Sequence, residues 1–230
     1  MKKTDILLIC QCLVLFPLTV YLLGEHYYIA AVLILAELLL PYLLSFKKCK
    51  PPTGEVITLL VMCVLCVIGR VAIPIPNFKA TYAIIMLTGI AFGAPAGFIV
   101  GAVSALISNF FYGQGVYTPW QMLCYGAGGM LAGLVFSKNR VRPGRIYLAI
   151  FGFSGVVLWL GPLLDVTQHI VMTPDATIKS VLSFLRSGFP VNISQGIASL
   201  LIMLLLGRFI LEKLDRVKTK YTVTEDVYGL

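Results

Sequence analysis

The chain alternates long apolar runs with short polar connections, and the runs have the length of membrane crossings. Eight stand out, at 6–23, 27–46, 55–72, 80–93, 95–112, 119–136, 146–164 and 189–211. A spanning helix needs about 20 mostly apolar residues, or fewer where it is short and buried. The fourth and fifth runs are short and meet at Gly93-Ala94-Pro95, where the proline disfavours helical geometry at Ala94 and predicts a break. From Asp165 to Gly188 the chain is too polar to span, and its one apolar piece, Ile178 to Leu185, predicts a short helix lying over the surface. The pattern therefore predicts an all-α integral membrane protein of about eight transmembrane helices. Residues 1–50 hold two N-terminal helices, 51–216 a six-helix core and 217–230 a tail.

Composition agrees. Hydrophobic residues make up 59% and charged residues 12%, where a soluble domain carries about 25% charged. Lys2 and Lys3 precede the first run as they would in a signal peptide. That run has no small-residue cleavage pattern and a second run follows at once, so it is expected to be retained. The net charge of +8 has a topological reading. Fourteen of the 18 basic residues lie at the N-terminus, around 47–54 and 137–145, or in the C-terminal tail. Only Arg70, Lys79, Lys179 and Arg186 fall on the other side. The positive-inside rule then places both termini in the cytoplasm. The excess charge is matched to anionic lipid headgroups, not to nucleic acid.

Several chemistries drop out. The two histidines have no neighbouring ligand cluster, so no metal site is expected. The ten acidic residues are scattered, with no DxxD pair on a helix, which removes the carboxylates that a membrane transferase would use. No GxxxxGK[ST] phosphate loop is present, so the chain does not drive ATP-dependent uptake by itself. Cys63 and Cys66 have CxxC spacing inside an aliphatic run and read as small buried side chains. Asp165, Gln168 and His169 are too loosely spaced for a catalytic cluster and read as part of an ordinary outer loop. A self-sufficient channel or secondary transporter draws some support from the helix broken at Pro95, but no charged pore lining accompanies it.

What remains distinctive lies between Arg70 and Phe136. Gly93, Gly97, Gly101 and Ala105 are four apart and share one helix face, which ends in Asn109. Such a stripe lets another helix approach closely, either within this chain or from a partner membrane protein. Phe110, Gln114, Tyr117, Trp120 and Gln121 follow within a dozen residues of Asn109, giving the amides and rings of a binding pocket. Tyr112 and Tyr117 fit equally well in an interfacial aromatic belt. Asn192, Ser194 and Gln195 open the last run and are weaker candidates for the same pocket.

The segments PNFKA (76–80), MLTGIAFGAPAGFIVGAVSALISNFFYGQG (86–115) and TPWQM (118–122) resemble the substrate-binding (S) components of energy-coupling factor (ECF) transporters, the bacterial vitamin importers. The resemblance covers about 56–213 and is most specific over 70–133. It implies a six-helix core in the bacterial plasma membrane, a transmembrane coupling subunit and two cytoplasmic ATPases as partners, no catalytic cofactor, and a vitamin as the transported ligand. The FGQG-like and TPWQM segments look most like the cobalamin-type S components, with riboflavin as the alternative. The resemblance also implies that the connection carrying Asn77, Phe78 and Lys79 folds over the ligand as a gate; on the residues alone, Arg70 and Lys79 also fit as snorkelling anchors. One departure stands out. The first core helix, VITLLVMCVLCVIGRVA, lacks the AxxxA pattern by which that helix usually meets the coupling subunit.

Overall fold

Six helices follow one another along the described part of the computed structural model, which comprises residues 33, 53–73, 75–136, 143–173 and 176–228. They are α1 (Thr53–Val71), α2 (Thr81–Phe92), α3 (Ala94–Tyr112), α4 (Thr118–Phe136) and α5 (Arg145–Met172), then α6. The last runs over Ile178–Ile202 and continues through a π-helical turn, Met203–Gly207, into Arg208–Tyr228. Helix α5 carries its own π-helical turn at Gly155–Leu160. No strand occurs among the described residues. Helices α1, α3 and α5 are long and apolar enough to cross a membrane, and α2 is a shorter apolar helix. The two N-terminal spans expected at 6–23 and 27–46 lie outside the described residues, Leu33 apart.

Helix α1 shows how an apolar helix divides its faces. Leu59, Met62, Cys63, Cys66 and Gly69 are buried against the other helices. Ile57, Leu60, Val61, Val64, Leu65 and Ile68 are exposed. A helix that is apolar all round suits a lipid surround, because its outer face loses nothing by leaving water. The small residues turn inward, and a Cβ at Gly69 would sit 3.0 Å from the Ala80 Cβ.

The break between α2 and α3 falls at Gly93, one residue before the expected Ala94. Gly93 adopts φ +95°, a region open to glycine, and its N–H closes α2 on the Gly89 carbonyl at 2.8 Å. Pro95 lies inside the first turn of α3, where a missing N–H breaks no helical bond. Two helices thus meet at a single-residue corner.

The small-residue stripe on α3 is filled by α4 of the same chain. A Cβ on Gly97 would come within 2.5 Å of the Gly129 carbonyl oxygen, and one on Gly101 would strike the Tyr125 carbonyl. Gly89 of α2 and Gly133 of α4 extend the contact. Ala105 is fully buried beyond it. Gly93 stands at the corner rather than in the groove, with only Pro95 near its missing side chain. Backbones this close gain dispersion and Cα–H···O contacts, the main attractions left to helices in lipid.

Helices α5 and α6 form a second pair, in which Gly152 faces Met203 and Gly196 faces Val157 and Phe153. They correct the sequence expectation of a long outer connection with a short helix at Ile178 to Leu185. Helix α5 runs on to Met172 and α6 starts at Ile178, leaving a link of only 173–177. Thr177 and Ser180 form a reciprocal capping box that starts α6 early. The helix then passes through Pro190, whose missing N–H leaves one turn short of a bond without ending it. Polar residues that looked like loop are paired across the two helices: His169 Nε2 lies 2.9 Å from Ser180 Oγ, and the His169 ring stacks on Phe184.

Replacing Gly101 by Leu should drive α3 and α4 apart and prevent recovery of folded monomer, or lower stability by at least about 1–3 kcal/mol. Leu60→Ala, on the exposed face of α1, should change the thermal midpoint little. Size-exclusion chromatography and thermal unfolding in detergent measure both; a well-folded Gly101→Leu protein would show that the contact is not structural.

Candidate functional site

Four helix ends converge at one end of the bundle: the C-termini of α1 and α3 and the N-termini of α2 and α4. Arg70 lies in the last turn of α1, where its cation complements the helix dipole. Ser108 and Tyr112 are four apart on α3, and Thr118, Gln121 and Tyr125 are spaced three and four apart on α4. Each set therefore shares a face, and the close α3–α4 contact turns the two faces together.

The Arg70 guanidinium is held between them. Nη1 donates to Ser108 Oγ at 2.5 Å and to Asn109 Oδ1 at 2.9 Å, and Nη2 reaches Gln121 Oε1 at 3.4 Å. Its carbon lies 5.2 Å from the ring centres of both Tyr112 and Tyr125, within the range of cation–π attraction. The Tyr112 hydroxyl donates back to the Arg70 carbonyl at 2.8 Å. Tyr125 meets Tyr82 of α2 edge to face, with the hydroxyls 3.4 Å apart.

Asn109 is the hub on the α3 side and is 0% exposed. While its Oδ1 accepts from Arg70, its Nδ2 donates to Gln121 Oε1 at 2.9 Å and Thr118 Oγ1 at 3.2 Å. Thr118 Oγ1 donates in turn to Gln114 Oε1 at 2.9 Å, and Gln114 Nε2 donates to the Leu106 carbonyl at 3.0 Å. The α3–α4 turn is thereby tied to both helices. Tyr117 closes it by donating to the Gly113 carbonyl at 2.7 Å.

The connection from α1 to α2 folds against the same end. Phe78 N–H donates to the Ile75 carbonyl at 3.3 Å around Pro76 and Asn77. Asn77 has φ +56°, so the proline-first, positive-φ pattern is that of a type II turn, which asparagine tolerates. Lys79 Nζ donates to the Ile73 carbonyl at 3.1 Å, and Ala80 N–H to the Gly69 carbonyl at 3.1 Å. Asn77 is exposed, while Phe78 and Lys79 are half-buried.

Of the residues singled out from the sequence, Asn109, Gln114 and Gln121 join one network, and Tyr117 braces the turn beside them. Trp120 is half-buried against the apolar core. Phe110 is 72% exposed and makes no part of the network. Asn192, expected at the start of the last helix, lies well inside α6, where its Nδ2 donates to Asp165 Oδ2 of α5 at 2.7 Å. Ser194 and Gln195 follow it inside the helix. Sequence reasoning missed the central position of Arg70 and the parts of Ser108, Tyr125 and Tyr82. The spacing of Thr118, Gln121 and Tyr125 was the available signal, because polar side chains on one face of an apolar helix need partners.

Removing the hub should leave buried polar groups unpaired. Asn109→Ala is expected to lower stability by about 1–3 kcal/mol. Combined with Gln121→Ala, it should cost less than the sum of the two single changes. Thermal unfolding of the four proteins in a double-mutant cycle tests this, and strict additivity would mean that the pair is not coupled.

Comparison with known proteins bears on this arrangement. A family model described as ECF-type riboflavin transporter, S component, matches residues 55–212. A UPF0397 protein of Vibrio atlanticus (strain LGP32) is 26% identical over 120 residues, covering 49% of this chain and 65% of the relative. The chain thus spans slightly less than two thirds of that relative. A UPF0397 protein of Aliivibrio fischeri (strain MJ11) is 24% identical over 154 residues, covering 64% of this chain and 78% of the relative. No solved structure matches the chain. The matched region begins in α1, takes in the whole Arg70 network and ends in the last stretch of α6; the chain belongs to the family of ECF-type riboflavin transporter S components.

Proposed function

We propose that this protein is the ligand-capture subunit of an ATP-driven vitamin importer and that it binds its vitamin at the end of the bundle where α1, α3 and α4 meet. S components are substrate-binding transport subunits, not enzymes. The observation that carries the placement is the convergence of amides and aromatic rings on Arg70. A flat vitamin is recognised by such groups, with rings for stacking and amides for neutral hydrogen bonds. Asn109, Gln121 and Trp120 form the floor of this reading. Gln114, Tyr117 and Phe110 form its rim, and Asn77, Phe78 and Lys79 its gate.

The riboflavin type of the matching family favours riboflavin over cobalamin as the ligand. The sequence segments that suggested a cobalamin-type protein are family features and do not discriminate between vitamins. The outer connection that would have made room for so large a ligand is also taken up by α5 and α6.

In this reading the site faces outward in the plasma membrane and both termini face the cytoplasm, which the distribution of basic residues supports. Energy comes from a coupling subunit and two ATPases, against which the protein reorients to release its ligand. The exposed aliphatic face of α1 and the sparse charge of the spans suit such a movement through lipid. The packing stripe on α3 is occupied within the chain, so the coupling subunit docks on another face.

Calorimetry on the purified protein alone should show one-to-one riboflavin binding without any ATPase present. Trp120→Ala should weaken it at least about tenfold, equivalent to about 1.4 kcal/mol. Cobalamin binding instead would keep the capture role and replace the ligand. Uptake by this chain alone in proteoliposomes would point to a secondary transporter and overturn the proposal.

A further inference from the structure

Arg70 holds a charge that nothing around it neutralises. Its hydrogen-bond acceptors are a serine hydroxyl and two amide oxygens, and its remaining neighbours are tyrosine faces. Among the described residues it pairs with no carboxylate. A guanidinium keeps its charge at any physiological pH, and an ionised group at membrane depth is normally paired or faces a watery cavity. The Nε hydrogen and one on Nη2 are still available, since Nη1 uses both of its own on Ser108 and Asn109. Lys79, a second cation, anchors on the Ile73 carbonyl close by in the chain. The nearest described candidate for a counter-charge in the outer half, Asp165, is engaged with Asn192 between α5 and α6.

We infer that the captured ligand carries an oxyanion beside its flat ring system, and that Arg70 is the residue that selects for it. This deepens the capture reading above and rests on it. Neutral hydrogen bonds hold the guanidinium in place without cancelling its field, so an arriving phosphate or carboxylate finds a fixed cation already oriented. Such an oxyanion would approach from the end of the bundle. A lipid phosphate would have to come from the side, whereas the guanidinium is flanked by Ser108 and Asn109, both fully buried. The rings of Tyr112 and Tyr125 leave room for charge recognition while excluding most water.

The test compares riboflavin with riboflavin 5′-phosphate on the full-length purified protein, by quenching of flavin fluorescence. Wild type should bind the phosphate at least about tenfold more tightly. Arg70→Gln should erase that preference while keeping riboflavin affinity within about threefold, and Arg70→Lys should restore part of it, because a point charge replaces a fork. Equal affinity of the wild type for the two flavins, or a preference that survives Arg70→Gln, overturns the inference. Binding of riboflavin with rejection of its phosphate would leave the capture role standing and remove only the anion. Failure of both flavins to bind removes both. Should Arg70→Gln not fold, the wild-type comparison and Arg70→Lys decide the matter. Native mass spectrometry adds one more arm: phosphatidylglycerol retained by wild type and lost in Arg70→Lys, with no flavin preference, would assign the guanidinium to a lipid headgroup and overturn the proposal.

Discussion

The close contact between α3 and α4 is the constraint from which the rest of this structure follows. Gly97 against the Gly129 carbonyl and Gly101 against the Tyr125 carbonyl leave no room for a side chain, and so permit one rotation and one register of the pair. Asn109 lies eight residues beyond Gly101, about 12 Å further along the helix. At that distance a small change in register would carry Asn109 past Gln121 and Thr118. The fixed packing in the middle of the bundle thereby determines which polar groups meet at its end. In lipid no hydrophobic force draws helices together, so this precision comes from shape.

A second dependence runs through Arg70. Its side chain links α1 to α3 and α4 and lies between two tyrosines, one of which continues the chain of contacts to α2. Four helices therefore meet around one permanent charge. A half-buried cation supported only by neutral oxygens and ring faces is a weak way to gain stability, because each partner compensates its desolvation only in part. Its retention at the centre of the network is more readily understood as preparation for a ligand than as a structural pin.

The α5–α6 pair follows different rules. Each helix carries a π-helical turn, Gly155–Leu160 and Met203–Gly207, and Met203 packs on Gly152 one turn before the first of these. Such turns shift the face a helix presents without breaking it. They let two long helices keep contact although their residues do not repeat in register. The polar Asp165–Asn192 and His169–Ser180 pairs then link the two helices towards their outer ends.

The helical class, the membrane setting and the six core segments were legible in the sequence, because lipid requires long uninterrupted apolar runs and a span leaves an unmistakable length. The stripe ending in Asn109 was legible too, since four-residue spacing maps directly onto a helix face. Three things were decided only in three dimensions. Whether the stripe met a partner or its own chain depended on α4, whose glycines at 126, 128, 129 and 133 have no spacing that names their neighbour. The polar stretch after Asp165 became helix because its groups found partners across α5 and α6, an interaction between residues up to 27 apart. Arg70 looked like a surface anchor because a sequence shows a charge but not what surrounds it. Its acceptors lie 38 to 51 residues away on two other helices, and only their packing brought them to a single guanidinium.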